Sequence, residues 1–85
     1  MPSTENSRNP DAFDAIADPT RRRIMELLSG NESTVGELAG RFNISRPAVS
    51  KHLKILYAAG LVEYTPRGRE NRYALVPEGL REVRD

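Results

Sequence analysis

The chain of 85 residues contains no cysteine and no tryptophan, and it has a single histidine. The absence of cysteine excludes disulfide bonds, thiolate metal sites and cysteine nucleophiles. A zinc-type site needs several nitrogen or sulfur ligands, which one histidine cannot supply. We therefore expect no metal and no cofactor. A chain without cysteine also fits a cytoplasmic location.

Long hydrophobic runs are missing as well. No segment approaches the roughly 18 consecutive apolar residues that are needed to cross a bilayer. The opening "MPSTENSRNPD" lacks the basic and apolar regions of a signal peptide. These absences predict a soluble, unexported protein with no membrane partner. No acid pair, nucleophile with a base or glycine-rich phosphate loop is recognisable, so we expect no enzyme.

The charges are segregated, although the net charge is only +1. Positions 41–72 hold seven basic and two acidic residues, a net charge of +5, and the remainder carries −4. A domain polarised in this way is typical of proteins that turn one side toward a polyanion. Two solvated faces of unequal charge are the alternative interpretation.

Capping signals divide most of the chain into helices. Residues 1–9 are polar and are predicted to be a disordered tail, and residues 10–85 are predicted to form one domain. The segments "NPDAFDAIA", "DPTRRRIMELLSG", "TVGELAGRF" and "SRPAVSKHLKILYAAG" each begin with a capping residue and continue with apolar residues at helical spacing. In the third, Thr34 and Glu37 have the spacing of a capping box. The short connection between the third and fourth segments predicts a steep crossing, as in a helix-turn-helix.

The segments after Gly60 change character. "LVEYT" and "RYALV" are rich in β-branched and aromatic residues, and "PRGREN" between them predicts a loop with a basic tip. "PEGLREVRD" resembles the start of a fifth helix that is too short to be stable alone. The predicted fold is mainly α with a small β-hairpin: a winged helix-turn-helix with about five helices and a two-stranded wing.

The fourth helix has two distinct faces. At about 100° per residue, Val49, Leu53 and Leu56 share one arc, which is the predicted core side. The opposite side is small or basic, and such a helix fits the major groove of B-DNA, where lysine, arginine and serine contact base edges or phosphates. The candidate DNA-binding residues of this helix are Ser45, Arg46, Pro47, Ser50, Lys51 and Lys54.

The hairpin supplies a second candidate surface. Its residues Arg67, Gly68, Arg69 and Arg72 bring guanidinium groups to a flexible loop, where they can reach a minor groove or phosphates. A solvated turn that keeps a sheet edge soluble is the alternative. Ser33 and Thr34, at the predicted start of helix three, are weaker candidates for DNA contact.

Other basic residues receive structural interpretations. His52 falls between the apolar sides of helix four, so we expect a packed, hydrogen-bonded histidine and not a metal ligand. The three consecutive residues Arg21–Arg23 point about 100° apart and cannot form one patch. Arg22 can pair with Glu26 one turn later, and we expect the three arginines to be solvated or salt-bridged, with a phosphate contact from one of them as the minority interpretation.

Together, "IADPTRRRIMELL" and "TVGELAGRFNISRPAVSKHLKILYAAGLVEYTPRGRENRYAL" resemble the ArsR-type winged helix-turn-helix transcriptional regulators. The resemblance implies a homodimeric DNA-binding repressor in which helix four is the recognition helix, the hairpin is the wing and the terminal helices form the dimer interface. Metal-sensing members carry cysteines in the segment where this chain has Ser33, Thr34 and Gly36. The resemblance is therefore to the metal-independent branch, which includes autorepressors.

Apolar residues on short terminal segments predict self-association. Phe13, Ile16, Leu80 and Val83 lie on segments that are too short to be stable unless they are docked, and a two-fold interface lets one patch complement itself. The predicted function is a sequence-specific DNA-binding transcriptional regulator, a repressor that binds a palindromic operator in double-stranded DNA as a homodimer. The alternative is a winged-helix interaction module that binds an acidic protein partner.

Overall fold

The structure, a computed structural model, describes residues 12–77 of the chain. Its elements are α1 Ala12–Ile16, α2 Pro19–Gly30, β1 Ser33–Thr34, α3 Val35–Phe42, α4 Arg46–Ala58, β2 Val62–Arg67 and β3 Glu70–Leu75. The predicted winged helix-turn-helix, mainly helical with a small sheet, is confirmed. The predicted tail, the predicted fifth helix and the candidate interface residues Leu80 and Val83 lie outside the described residues.

Three helices begin at the predicted capping residues. The Asp18 carboxylate accepts the backbone N–H of Arg21 at 3.0 Å at the start of α2. Thr34 Oγ1 accepts the backbone N–H of Glu37 at 3.1 Å, and the Glu37 carboxylate accepts the backbone N–H of Thr34 at 3.0 Å. At the start of α4, Ser45 Oγ accepts an amide three residues later at 3.2 Å. Each cap satisfies an amide that the first turn leaves without a helical partner.

The chain reverses between α3 and α4 at Asn43. This residue has φ 59° and ψ 40°, and it is the one non-glycine residue with positive φ in residues 12–77. Its N–H donates to the carbonyl of Ala39 at 2.9 Å, which closes the last turn of α3. Asparagine tolerates the left-handed conformation better than most side chains do, so the sequence can turn here without glycine.

The core lies where the helices meet the base of the sheet. Its largest fully buried side chains are Ile24, Leu38, Val49, Leu53, Leu56, Val62 and Val76. Three of these belong to α4, which confirms the predicted core arc of that helix. Because α4 is anchored along this arc, its opposite face is held outward.

The sheet has one more strand than the hairpin requires, and its loop is shorter than predicted. The strand order is β1-β3-β2, all antiparallel, with Ser33 opposite Tyr73. The pairing of β2 with β3 extends through Pro66 and Asn71 to Arg67 and Glu70. The predicted six-residue loop is therefore wrong: it is a two-residue turn. Glycine at its first position, with φ 61°, permits this tight turn.

Candidate nucleic-acid interface

The outward face of α4 carries the side chains that the helical wheel placed there. Pro47, Lys51 and Lys54 are exposed, and Ser50 is half-buried. Ser45 and Arg46, in the first turn, are exposed as well. This face is continuous and mostly basic, and no residue of the core arc interrupts it. It has the form of a helix surface that enters a groove of DNA.

The wing meets α4 on that same side of the molecule. A cleft of about 240 Å³ is lined by Arg46 and Ser50 from α4, by Arg69 from the turn and by Asn71 from β3. Arg67, Gly68 and Arg69 at the tip are all exposed. The structure thus brings Arg46 of α4 and Arg69 of the wing tip, 23 residues apart in sequence, to one surface.

Arg72 differs from the other basic residues predicted for the wing. It lies in β3 and not in the turn, and its Nε donates to Glu32 Oε1 at 3.1 Å. Its Nη2 is 3.7 Å from Glu37 Oε1. The guanidinium group is therefore occupied in joining β3 to the start of α3, because acidic side chains from that region flank the strand. We correct its placement and leave it out of the candidate interface.

Ser33 and Thr34 are also placed differently from the prediction. They form β1, with Thr34 also capping α3, and their exposed fractions are only 8% and 6%. Thr34 Oγ1 is used in the capping box, and Ser33 Oγ donates to the carbonyl of Asn31 at 3.5 Å. The two hydroxyl groups serve the local fold, so we do not include them in the candidate interface.

The remaining basic candidates have no acidic partner in the described part of the chain. Within residues 12–77, Arg46, Lys51, Lys54, Arg67 and Arg69 form no salt bridge and no side-chain hydrogen bond. A polyanion that contacts them releases their counterions, and no ion pair within these residues has to be broken first.

The arginines of α2 are in the opposite situation. Arg21 Nε donates to a carbonyl in the last turn of α1 at 2.6 Å, and Arg22 Nη1 donates to another at 2.7 Å. The predicted pair between Arg22 and Glu26 is wrong, since Arg23 is the residue that pairs with Glu26, at 3.7 Å. The carbonyls at the end of a helix lack intrahelical donors, and they recruit the first two arginines.

His52 confirms the structural interpretation. It is half-buried, and its Nδ1 lies 3.4 Å from Nη1 of Arg21. A guanidinium group can only donate, so Nδ1 is the acceptor in this contact. Arg21 thereby connects α1 to α4. The backbone N–H of Arg21 also holds the pKa of Asp18 below its usual value.

Three tyrosines connect the wing to the end of α4. The ring centroids of Tyr57 and Tyr64 are 5.3 Å apart, and those of Tyr64 and Tyr73 are 5.4 Å apart. Together with Lys54 and Asn71 they line a second cleft of about 260 Å³. Only the register that places Tyr64 opposite Tyr73 reveals this row, and neither strand shows it alone.

Residues 12–77 contain no group of three or more histidine, cysteine, aspartate or glutamate side chains arranged to hold a metal ion. No helix in the same part of the chain is long and apolar enough to span a membrane.

Comparison with known proteins identifies the family. The family model described as "Bacterial regulatory protein, arsR family" matches residues 18–64, from the cap of α2 through the first half of β2. The chain belongs to the ArsR family. As an ArsR-family member it is a transcriptional regulator with a DNA-binding helix-turn-helix, and the resemblance stated from the sequence is confirmed.

Individual relatives of this ArsR-family chain agree. The HTH-type transcriptional regulator Rv2034 of Mycobacterium tuberculosis is 50% identical over 78 residues, which cover 91% of this chain and 73% of the relative. The transcriptional repressor SdpR of Bacillus subtilis is 45% identical over 65 residues, covering 76% and 72%. The solution structure of the homodimeric winged helix-turn-helix DNA-binding domain of Mb0332 from Mycobacterium bovis superposes with a TM-score of 0.73, with 28% identity over 81% of this chain and 64% of that one.

Proposed function

We propose that this regulator represses transcription as a homodimer bound to a pseudo-palindromic operator, with α4 in the major groove and the wing tip against the backbone. The observation that carries the proposal is a set of five cations, two on the wing tip and three on α4, that form no salt bridge within residues 12–77; two of them, Arg46 and Arg69, line one cleft between α4 and the wing. A protein must present such uncompensated charge to bind DNA at physiological salt.

Base contacts and phosphate contacts are assigned by how rigidly the backbone holds each side chain. Ser50, Lys51 and Lys54 lie on a helix that is anchored along its length by the core, so their positions are fixed well enough to discriminate base edges. Arg67 ends β2 and Arg69 lies in the solvent-exposed turn, and neither long side chain has a partner within residues 12–77 to orient it. We assign base recognition to Ser50, Lys51 and Lys54 and phosphate contacts to the wing.

The dimer interface is proposed to include α1. Phe13 is 82% exposed, the largest exposed fraction among the big apolar side chains of residues 12–77, whereas Ile16 packs against the core. A phenylalanine this exposed gains from burial against a second copy. The homodimeric relative from Mycobacterium bovis supports the same assembly.

Phe13→Asp tests the interface. We expect a monomer in sedimentation velocity that folds normally, because residue 13 contributes nothing to the core, and that loses tight operator binding. Phe13→Leu, which keeps an apolar side chain, serves as the matched control. A Phe13→Asp monomer that binds the whole operator with wild-type affinity would show that dimerisation is not needed.

Selection of bound duplexes from a random pool tests the proposed function as a whole. A two-fold dimer predicts a palindromic consensus whose half-sites are about one helical turn, roughly 34 to 36 Å, apart. The selected site placed over a promoter should then lower reporter expression when the protein is present. If the affinity for duplex DNA does not fall steeply as the salt concentration rises, the result favours an acidic protein as the partner instead.

A further inference from the structure

One contact within the candidate interface joins the two helices of the helix-turn-helix. Gly36 lies in the first turn of α3, and Arg46 is the first residue of α4. A Cβ atom built on Gly36 would lie 2.9 Å from Nη2 of Arg46, 3.2 Å from Cζ and 3.5 Å from Nε. The guanidinium group of Arg46 therefore occupies the space that any other residue at position 36 would fill with its side chain.

Nothing else in the described part of the chain holds this guanidinium group. Arg46 forms no salt bridge and no side-chain hydrogen bond with residues 12–77. Its long side chain would otherwise sample many rotamers. The space that the missing side chain of Gly36 leaves is thus the feature that favours the observed position of the Arg46 guanidinium group. It does so without neutralising the charge.

The position of the Arg46 guanidinium group decides which surface its charge faces. With its guanidinium group over Gly36, Arg46 lines the cleft between α4 and the wing, which Ser50 and Arg69 also line. A phosphate that reached this cleft would meet Arg46 and Arg69 from two sides. An Arg46 side chain displaced from Gly36 would lose this relation to the wing.

We propose that Gly36 is a positioning residue for DNA binding: the absence of its side chain holds Arg46 in the orientation that contacts a backbone phosphate. This inference rests on the proposed function. It assigns a role to a residue that carries no donor, acceptor or charge in its side chain and that the sequence analysis did not include among the candidate DNA contacts.

Gly36→Ala separates this role from a structural one. A purely structural role predicts that stability falls, whereas the positioning role predicts that stability is kept and DNA binding weakens. The atoms that a new Cβ would displace belong to the far end of a flexible side chain, so the fold can accommodate the change. Alanine is also a better helix former than glycine, so the thermal midpoint should stay at or above that of the wild type. DNA binding should nevertheless weaken.

The matched control is Gly40→Ala in the same helix. A Cβ at Gly40 meets no atom within 4 Å, so this variant has the same gain in helix propensity without touching Arg46. The probes are duplexes of random sequence and the selected operator, titrated by fluorescence anisotropy over a range of salt concentrations. Thermal unfolding of each variant is measured in parallel.

The expected results form a pattern. Gly36→Ala and Arg46→Ala each weaken binding by roughly tenfold at 0.1 M salt and flatten the salt slope by about 1 to 2, which corresponds to one phosphate contact per protomer. The double variant is no weaker than Arg46→Ala alone, because both changes remove the same contact. Gly40→Ala binds like the wild type. In the free protein, the NMR signal of the Arg46 Nε–H moves in Gly36→Ala and stays in place in Gly40→Ala.

Two different failures can be told apart. If the wild type binds DNA and Gly36→Ala keeps wild-type affinity and salt slope, the positioning role is refuted while the proposed function stands. The positioning role is also refuted if the losses of affinity from Gly36→Ala and Arg46→Ala add up in the double variant. If the wild type itself binds no duplex in a salt-dependent manner, the proposed function fails, and the inference fails with it.

Discussion

Removing the two arginines of the wing tip measures how much of the DNA affinity comes from the wing. Each protomer presents three arginines that are assigned to phosphates and have no partner within residues 12–77, Arg46, Arg67 and Arg69, so a dimer presents six. If each neutralises one phosphate, log K falls against log salt with a slope of about −5. The four wing arginines of the dimer account for about 3.6 of that slope, so the Arg67→Ala, Arg69→Ala double variant should retain a slope of about −2.

The assay is a salt titration of binding to the operator and to a scrambled duplex of equal length. Because the wing is assigned to phosphates, the double variant should lose affinity equally for both. Arg23→Ala is the control, since this guanidinium group already pairs with Glu26 at 3.7 Å and lies outside the candidate interface. A double variant with an unchanged slope would mean that the tip does not touch DNA. A loss confined to the operator would mean that the wing reads bases.

Three further expectations concern α4, the turn before it and the cap of α2. Ser50→Ala and Lys51→Ala should each lower operator affinity by about 1 to 3 kcal/mol with a smaller effect on scrambled DNA, and equal losses on both would reassign these residues to phosphate. Asn43→Val should destabilise the fold to urea by about 1 to 2 kcal/mol relative to Asn43→Gly, because φ is 59° there; equal stabilities would refute the strain argument. The backbone N–H of Arg21 lowers the pKa of Asp18. The ionised carboxylate of Asp18 therefore stabilises the folded protein fully above pH 3.8, its usual pKa, and this contribution is lost as the pH falls through the lower pKa of the folded state. Thermal unfolding of Asp18→Asn, which keeps a capping oxygen, should therefore depend less on pH in this acidic range, and identical profiles would contradict the assignment.

The helices could be predicted because their signals are local. Thr34 and Glu37 meet across three residues, and Ser45 caps an amide equally close in sequence. Such bonds depend little on the rest of the fold. The outward face of α4 was predictable for a related reason, since the positions of Val49 and Leu53 fix which side of the helix is buried.

The sheet was harder to predict because its pairing is not local. Two residues, Ser33 and Thr34, are too few to show a strand pattern, and they form β1 only because β3 passes beside them. The loop of the wing looked long because Pro66 and Asn71 are turn-forming residues. Pro66 is accommodated because β2 is an edge strand, where a missing donor leaves no gap in the interior of the sheet.

The candidate interface depends on which basic residues remain available, and this depends on tertiary contacts. The densest basic run of the sequence, Arg21–Arg23, is occupied: α1 has only five residues, and the carbonyls at its end accept hydrogen bonds as short as 2.6 Å from Arg21. A phosphate would have to compete with those carbonyls for the same donors. Lys51 and Lys54, in contrast, are spread along α4, and neither forms a salt bridge with an acid within residues 12–77. The proposed interface therefore uses dispersed cations on an anchored helix and not a dense run beside a helix end, because a phosphate would meet no competing acceptor among the described residues there.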